Sequence, residues 1–257
     1  MHGHRGARAL LPENTIRGFE YAIQAGADYL EMDVAVTKDD VVVVSHDPYI
    51  NPEICRGPRP SASVRDLTLS EVKAHDCGSL KNPRFPRQGL LPGARIPTLD
   101  EVLSLFARFE IQFNIEIKSF PARPELAPPP DTFAKLVLEV IRKHRLELRC
   151  IVQSFDFRTL HAMNRLAQEV RLAALWEGEA RPFVDITSDA GVGIVAPFFK
   201  LVTAEQVKAA HAAQLEVIPW TANTPEDWQK LIDAGVDAII TDDPAALIAY
   251  LRPRGPR

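Results

Sequence analysis

The sequence predicts an α/β fold, a (β/α)₈ TIM barrel with a small insertion after the second strand and its hairpin. Short apolar runs alternate with amphipathic stretches over the whole chain, which is typical of parallel strands joined by helices. Eight strand-like runs favour a closed barrel over an open sheet. The length of 257 residues is also close to the roughly 250 typical of one barrel. We therefore expect residues 1–257 to form a single domain.

Each strand is predicted from an apolar run, and each helix from amphipathic periodicity between two runs. The predicted strands are His2–His4, Tyr29–Val36, Phe113–Lys118, Cys150–Phe155, Leu172–Trp176, Gly193–Ala196, Leu215–Thr221 and Ala238–Thr241. The predicted helices are Thr15–Ala25, Leu99–Phe109, Thr132–Arg145, Phe157–Gln168, Ala204–Ala213, Pro225–Ala234 and Pro244–Leu251. The helical pattern is weak between Trp176 and Gly193. Capping boxes are expected at Thr98 with Glu101 and at Thr203 with Gln206.

The stretch 47–95 breaks this alternation. It is rich in Pro, Gly and Arg and has one short helical pattern, near Ser70–His75. We interpret it as an insertion above the barrel, because loops of this length usually cover or shape a site.

Composition narrows the class of protein. A net charge of -4 and a pI near 6.0 do not indicate a nucleic-acid partner. No apolar run approaches the ~18 residues of a membrane span, so no stable membrane anchoring is expected.

The three cysteines, Cys55, Cys77 and Cys150, have no CxxC spacing. They predict neither a disulfide scaffold nor a zinc site, and unpaired thiols fit a reducing compartment. A cytoplasmic protein is expected, with a periplasmic one left open because the true start could lie upstream. The sequence does not set the oligomeric state.

Two neighbouring strands carry carboxylates that share a face. Side chains alternate along a strand, so Glu31 and Asp33 point one way while their apolar neighbours point the other. On the next strand Glu116 and Lys118 share a face by the same rule. Carboxylates this close repel one another unless a cation compensates, and a hard divalent cation with oxygen ligands is the simplest answer.

A hairpin is predicted after the second strand. The polar residues 37–40 separate two β-forming runs. Pairing of Val36 with Val41 would bring His46 back opposite Glu31, beside the carboxylates.

The N-terminus carries His4 and Arg5, at the end of the first strand. Histidine exchanges protons near neutral pH, and arginine offers a bidentate fork to phosphate. Glu13 is expected on the site side of the first helix, where it could orient Arg5, and Asn14 is interpreted as the helix cap.

These residues fall in a recognisable order of motifs: HRG, PENT, E-x-D, HD, NIEIK, QSFD and WTANTPEDWQKLIDAGVDAIITDDP. Together they resemble the glycerophosphodiester phosphodiesterase family of bacterial type, and the resemblance runs from His2 to Pro244. It implies hydrolysis of glycerophosphocholine, glycerophosphoethanolamine and similar diesters to sn-glycerol 3-phosphate and an alcohol. Residues 49–57 depart from the family pattern, so headgroup preference stays open.

The resemblance also implies a role for individual residues. It makes His4 and His46 the acid–base pair, and our own mechanistic hypothesis assigns His4 as the base and His46 as the acid. It makes Glu31, Asp33 and Glu116 the ligands of Mg²⁺ or Ca²⁺. It implies phosphate contacts for Arg5 and Lys118 and a place in the pocket lining for Gln153, Trp220 and Asn223. We add Glu13 to the substrate-binding residues from its position at the start of the first helix.

Two alternatives remain open. A lysophospholipase D-like enzyme would need an apolar groove for an acyl chain, and Leu67, Leu69, Phe85, Leu90 and Leu91 in the insertion do not decide it. A non-catalytic barrel would bind phosphodiesters without cleaving them.

Overall fold

The computed structural model describes residues 1–252, and its central feature is a curled sheet of eight parallel strands. An antiparallel hairpin strand, β3, pairs only with β2. The strands are β1 His2–Gly3, β2 Tyr29–Val36, β3 Val42–Val44, β4 Gln112–Ile117, β5 Cys150–Ser154, β6 Arg171–Trp176, β7 Ile194–Pro197, β8 Glu216–Val217 and β9 Ile240–Thr241. The helices are α1 Ile16–Ala25, α2 Leu69–Lys73, α3 Leu99–Phe106, α4 Pro130–Lys143, α5 Phe157–Leu166, α6 Phe183–Ala190, α7 Ala204–Ala212, α8 Pro225–Ala234 and α9 Pro244–Leu251.

The strand order makes the sheet a barrel. It runs β8-β7-β6-β5-β4-β2-β1-β9, so the first and last strands of the chain are neighbours. The two ends of this order also meet, because β9 bonds to the segment that follows β8. The backbone hydrogen bonds run from Ile240 N–H to the Pro219 carbonyl (3.0 Å) and from Ala222 N–H to the Ile240 carbonyl (3.1 Å). The predicted (β/α)₈ fold is therefore confirmed, including a helix, α6, where the sequence pattern was weak.

Strand alternation sorts the side chains into two layers. Leu30, Met32 and Val34 of β2 pack outward against the helices, in the main hydrophobic core. A smaller apolar layer, which includes Ile151 and Ile194, fills the barrel interior. The polar residues of β2 and β4 are left facing inward, at the end of the barrel where those strands finish.

Two local expectations, one in the β2–β3 hairpin and one at the start of α7, were wrong. Val36 pairs with Val42, not Val41, because Thr37 pairs with Val41 through a 3.0 Å hydrogen bond and Asp40 takes a left-handed φ of 59°. The turn is thus one residue shorter than expected, with residues 38–40 between the paired Thr37 and Val41.

The second wrong expectation concerns a helix cap. Thr98 and Glu101 form the expected capping box. At Thr203 only half of the box forms, since the Gln206 side chain bonds Phe183 and Arg181 instead.

Residues 47–95 lie between β3 and α3 and share a small apolar core with the β2–β3 hairpin, in which Ile50, Val64 and Leu67 pack with Ala35 and Val43. Cys55 and Cys77 form a disulfide within it. The expectation of unpaired thiols was therefore wrong for these two residues. Their separation of 22 residues carries no local signature, and only the folded loop brings them together. Cys150 is free and buried.

Among the described residues, no helix is both long enough and apolar enough to cross a bilayer.

Candidate active site

A cavity of about 340 Å³ opens at the C-terminal ends of the barrel strands, where barrel enzymes place their active sites. Eight of the residues singled out in the sequence line it: His4, Arg5, Glu31, His46, Glu116, Lys118, Gln153 and Trp220. Three others do not line it. Asp33 lies fully buried beneath it. Glu13 bonds Arg5, which lines the cavity. Asn223 bonds Asp242, which in turn holds His4 in the cavity wall.

Three carboxylates cluster at the base of this cavity, where Glu31 and Glu116 line it and Asp33 lies just beneath them. Oxygen atoms of Glu31, Asp33 and Glu116 all lie within 4.8 Å of one another, because β2 and β4 pair Asp33 with Glu116. Burial, reinforced by the other two carboxylates, raises the pKa of Glu31 well above its ordinary value. Burial also raises the pKa of Glu116, although Lys118 opposes the shift.

Asp33 behaves differently from its two neighbours. Burial raises its pKa, but Arg5 and Lys118 outweigh burial and hold the pKa well below the ordinary range. Its Oδ1 accepts no hydrogen bond and lies 3.3 Å from Lys118 Nζ. Three clustered oxygen donors, with one acceptor left open, are the ligand set a hard divalent cation prefers. The residues therefore fit a metal ion, although they do not select which one.

The loop after β1 surrounds this cluster with donors. The Arg5 backbone N–H donates to Glu31 (2.9 Å), and its guanidinium donates to Glu13 (2.8 Å) and lies 3.2 Å from Asp33. Arg5 has a φ of 50° and Gly6 one of 87°. A Cβ on Gly6 would lie 2.7 Å from the Gly18 backbone, so the tight loop requires glycine there.

Asn14 is not the helix cap that we expected. The α1 cap is Thr15, which accepts from Gly18 N–H. Asn14 has a φ of 56°, and its side-chain amide donates to Asp33 Oδ2 at 3.0 Å. Its tolerance of left-handed geometry turns the side chain into the site, where it orients a candidate metal ligand.

His4 is held by a carboxylate from the other end of the chain. Its Nδ1 lies 2.6 Å from Asp242 Oδ1, and Nε2 lies 4.0 Å from Glu31. Burial lowers the pKa of His4, although Asp242 opposes the shift. Asn223 donates to Asp242 Oδ2 (2.7 Å) and accepts from the Asp242 backbone N–H (2.8 Å). It thus supports His4 through Asp242.

His46 has a matching arrangement across the cavity. Its Nδ1 lies 2.8 Å from Asp47, which accepts a hydrogen bond from Asn51 at 2.7 Å. The hydrogen bond from His46 is the largest cause that lowers the pKa of Asp47 to about 2, and burial opposes the shift. The one-residue change of register does not remove His46 from the site, because it lies beyond the paired part of the hairpin.

Gln153 and Trp220 come from β5 and from the segment after β8. Gln153 donates to Glu31 Oε1 (3.0 Å) and accepts from Asn114 (3.1 Å), so its amide orientation is fixed. Trp220 donates through Nε1 to the Ala196 carbonyl (2.8 Å) and presents its ring to the cavity.

The sequence reasoning missed Asp242, Asp47 and the role of Asn14. Asp242 directly follows β9, so the rule that strand ends carry the site could have identified it. Asp47 adjoins His46 in sequence, and its part in orienting that ring gave no separate signal.

These features define a class: a TIM barrel hydrolase with a candidate metal cluster flanked by two carboxylate-oriented histidines. Comparison with known proteins agrees. The model of the glycerophosphoryl diester phosphodiesterase family matches residues 4–246. A glycerophosphodiester phosphodiesterase of Caldanaerobacter subterraneus subsp. tengcongensis is 34% identical over 98% of this chain and 97% of its own.

Solved structures give the same result. One from Silicibacter pomeroyi DSS-3 has a TM-score of 0.92 at 32% identity, with 98% of this chain and 92% of that chain covered. An Oleispira antarctica phosphodiesterase, in complex with the product sn-glycerol-3-phosphate, has a TM-score of 0.84 at 23% identity, with 98% and 96% covered. The second supports the fold alone. The chain belongs to the glycerophosphoryl diester phosphodiesterase family, and it is a phosphoric diester hydrolase.

Proposed function

We propose that this chain hydrolyses glycerophosphodiesters such as glycerophosphocholine and glycerophosphoethanolamine to sn-glycerol 3-phosphate and an alcohol. Mg²⁺ or Ca²⁺ would be required, and His4 and His46 would act as base and acid. The observation that carries this proposal is the convergence of the three carboxylates and both histidines on one cavity.

Glu31, Asp33 and Glu116 would hold the cation. When bound, such an ion polarises a phosphoryl oxygen and lowers the pKa of a coordinated hydroxyl. Asn14 and Gln153 keep two of these carboxylates in place, as outer partners of metal ligands commonly do. Arg5 and Lys118 would receive the phosphate, since both are cationic and line the cavity.

Each histidine has its Nδ1 on an aspartate, which leaves Nε2 for the substrate. A carboxylate at Nδ1 holds the proton there, so that Nε2 of a neutral ring is a base. We assign His4 Nε2 to take the proton from the glycerol 2-hydroxyl. Its oxygen then bonds to phosphorus as the bond to the alcohol breaks, and His46 protonates the departing oxygen. Water opens the resulting cyclic phosphate.

The acylated alternative has less support. Leu67, one of the apolar residues considered for an acyl groove, is fully buried in the small core of residues 47–95. Leu90 is half exposed, but a single side chain does not form a groove. Turnover of glycerophosphocholine and its acylated form, compared on one preparation, separates the two activities.

We also propose that residues 47–95 are an insertion within one barrel domain, and that the protein works in an oxidising compartment such as the periplasm. The Cys55–Cys77 disulfide favours that compartment over the cytoplasm. Alkylation of thiols in protein taken directly from cells tests this. Modification of Cys55 without prior reduction would count against it.

The activity is tested by release of choline from glycerophosphocholine. We expect release by the metal-loaded protein, and a loss of at least about 100-fold after chelation or in His46→Ala. Full activity in either case would contradict the scheme. Heat of binding without release of choline would indicate the non-catalytic barrel.

A further inference from the structure

One wall of the cavity has no part in the metal cluster or the acid–base pair. We propose that this wall, formed by Phe155, Glu177 and Trp220, receives the alcohol group of the diester and favours a cationic one over a neutral one. The inference rests on the proposed function, because it concerns the part of the same substrate that leaves.

The lining of the cavity is divided by strand. His4, Arg5, Glu31, Glu116 and Lys118 come from the β1, β2 and β4 ends. Phe155, Glu177 and Trp220 follow β5, β6 and β8. In the ring of eight parallel strands β6 lies opposite β1, and β8 lies opposite β4. A phosphate held on the ionic side therefore directs one of its two ester groups towards the aromatic side.

The two aromatic rings form a corner. The ring centroids of Phe155 and Trp220 are 5.5 Å apart, with the planes at 86°. Phe198 packs on Trp220 from behind at 5.7 Å, and the bond from Nε1 to Ala196 fixes the indole. Phe155 is 40% exposed and lines the cavity, so part of its ring is open to a ligand. Ring faces at this angle suit a compact cation, which binds within about 6 Å of a ring centroid.

Glu177 supplies the complementary charge. It is exposed at the cavity mouth, and no cation among residues 1–252 lies within ion-pair distance of it. The nearest arginine along the chain, Arg181, pairs with Asp189 and lies over the Trp176 ring at 5.5 Å. The charge of Glu177 is thus left for a ligand. An ammonium or quaternary ammonium group, at the aromatic corner and beside a carboxylate, satisfies all three side chains.

The test is the ratio of kcat/KM for glycerophosphocholine to that for glycerophosphoglycerol, whose alcohol is neutral. The purified full chain is assayed with saturating Mg²⁺ or Ca²⁺. We expect Glu177→Gln to lower this ratio by roughly three- to fivefold, the range for a cation at an exposed site, and Phe155→Leu to lower it similarly. Glu179→Gln, which removes the same charge from the same loop, is the matched control and should leave the ratio unchanged.

A binding measurement separates charge from shape without turnover. Choline and 3,3-dimethylbutan-1-ol have the same shape, but only choline is charged. Titrated against the intrinsic tryptophan fluorescence, choline should bind several-fold tighter than 3,3-dimethylbutan-1-ol to the parent, and this margin should be smaller in Glu177→Gln, where only the aromatic corner remains. Equal binding of the two by the parent, or equal ratios in Glu177→Gln and Glu179→Gln, overturns the inference. A parent that cleaves neither diester would instead refute the proposed function.

Discussion

The proton on His4 is predicted to depend on Asp242, and the substitution Asp242→Asn tests this. Asn223 donates its amide to Asp242 Oδ2, so an asparagine at 242 would place its oxygen there to accept that bond. Its own NH₂ group would then face His4 Nδ1. Because the amide N–H group would donate to Nδ1, Nδ1 must accept and cannot carry the proton. The proton of neutral His4 then sits on Nε2, which faces the substrate. His4 would keep its position but lose its function as a base.

The size of the effect follows from the burial of the pair. His4 and Asp242 are 9% and 5% exposed and 2.6 Å apart, so little water is available to restore the other tautomer. A positioned base contributes about 10²- to 10⁴-fold to rate. We expect kcat to fall by about 10²- to 10³-fold, or about 2.7–4 kcal/mol in the barrier. KM should change little, because Arg5 and Lys118 are untouched.

The assay is steady-state release of choline, with Asp233→Asn as a control that makes the same change at an exposed position on α8. A second substitution, Asn223→Asp, should recover part of the rate. An aspartate at 223 accepts from the new amide at 242 and turns the oxygen of that amide back to His4. A kcat within about threefold of the parent for Asp242→Asn would refute the tautomer argument.

Three further predictions follow. Asn14→Ala removes the donor to Asp33 and should weaken the binding of Ca²⁺ or Mg²⁺ by about 10–100-fold in a calorimetric titration. Unchanged affinity would contradict this. Asp76 accepts bonds from Ser79 and from backbone N–H groups that together outweigh burial and lower its pKa, so Asp76→Asn should reduce the unfolding free energy by about 1–2 kcal/mol at pH 7. Because a lowered folded pKa stabilises above the unfolded pKa, that difference should shrink as pH falls below about 4 in denaturant melts; a constant difference would contradict it. Reduction of Cys55–Cys77, which closes a loop of 22 residues, should cost about 3 kcal/mol; an unchanged melting temperature would contradict that.

The sequence predicted the features that depend on the periodicity of side chains and on the order of motifs along the chain. Alternation along β2 and β4 placed Glu31, Asp33 and Glu116 on one face, and their oxygen atoms meet within 4.8 Å. The strand and helix positions followed for the same reason, since a barrel repeats one local pattern. Resemblance supplied the chemistry that alternation alone does not specify.

What the sequence did not predict depends on loop geometry and on contacts distant along the chain. Asparagine is a residue type that commonly caps helices, but the φ of 56° at Asn14 points its side chain at Asp33. The hairpin register changed by one residue because Thr37 bonds Val41 within the turn. Cys55 and Cys77 meet only once the loop packs into a small core that it shares with the β2–β3 hairpin. None of these outcomes follows from a period of 2 or 3.6 residues.

The contact between His4 and Asp242 joins positions 238 apart in the sequence. During synthesis His4 is made 238 residues before the carboxylate that holds it. Every intermediate length of nascent chain therefore holds a histidine without the group that sets its proton. Catalytic competence would appear only when the final strand docks beside the first. Recovery of turnover during refolding then reports the closure of the ring and should lag behind the recovery of helical signal.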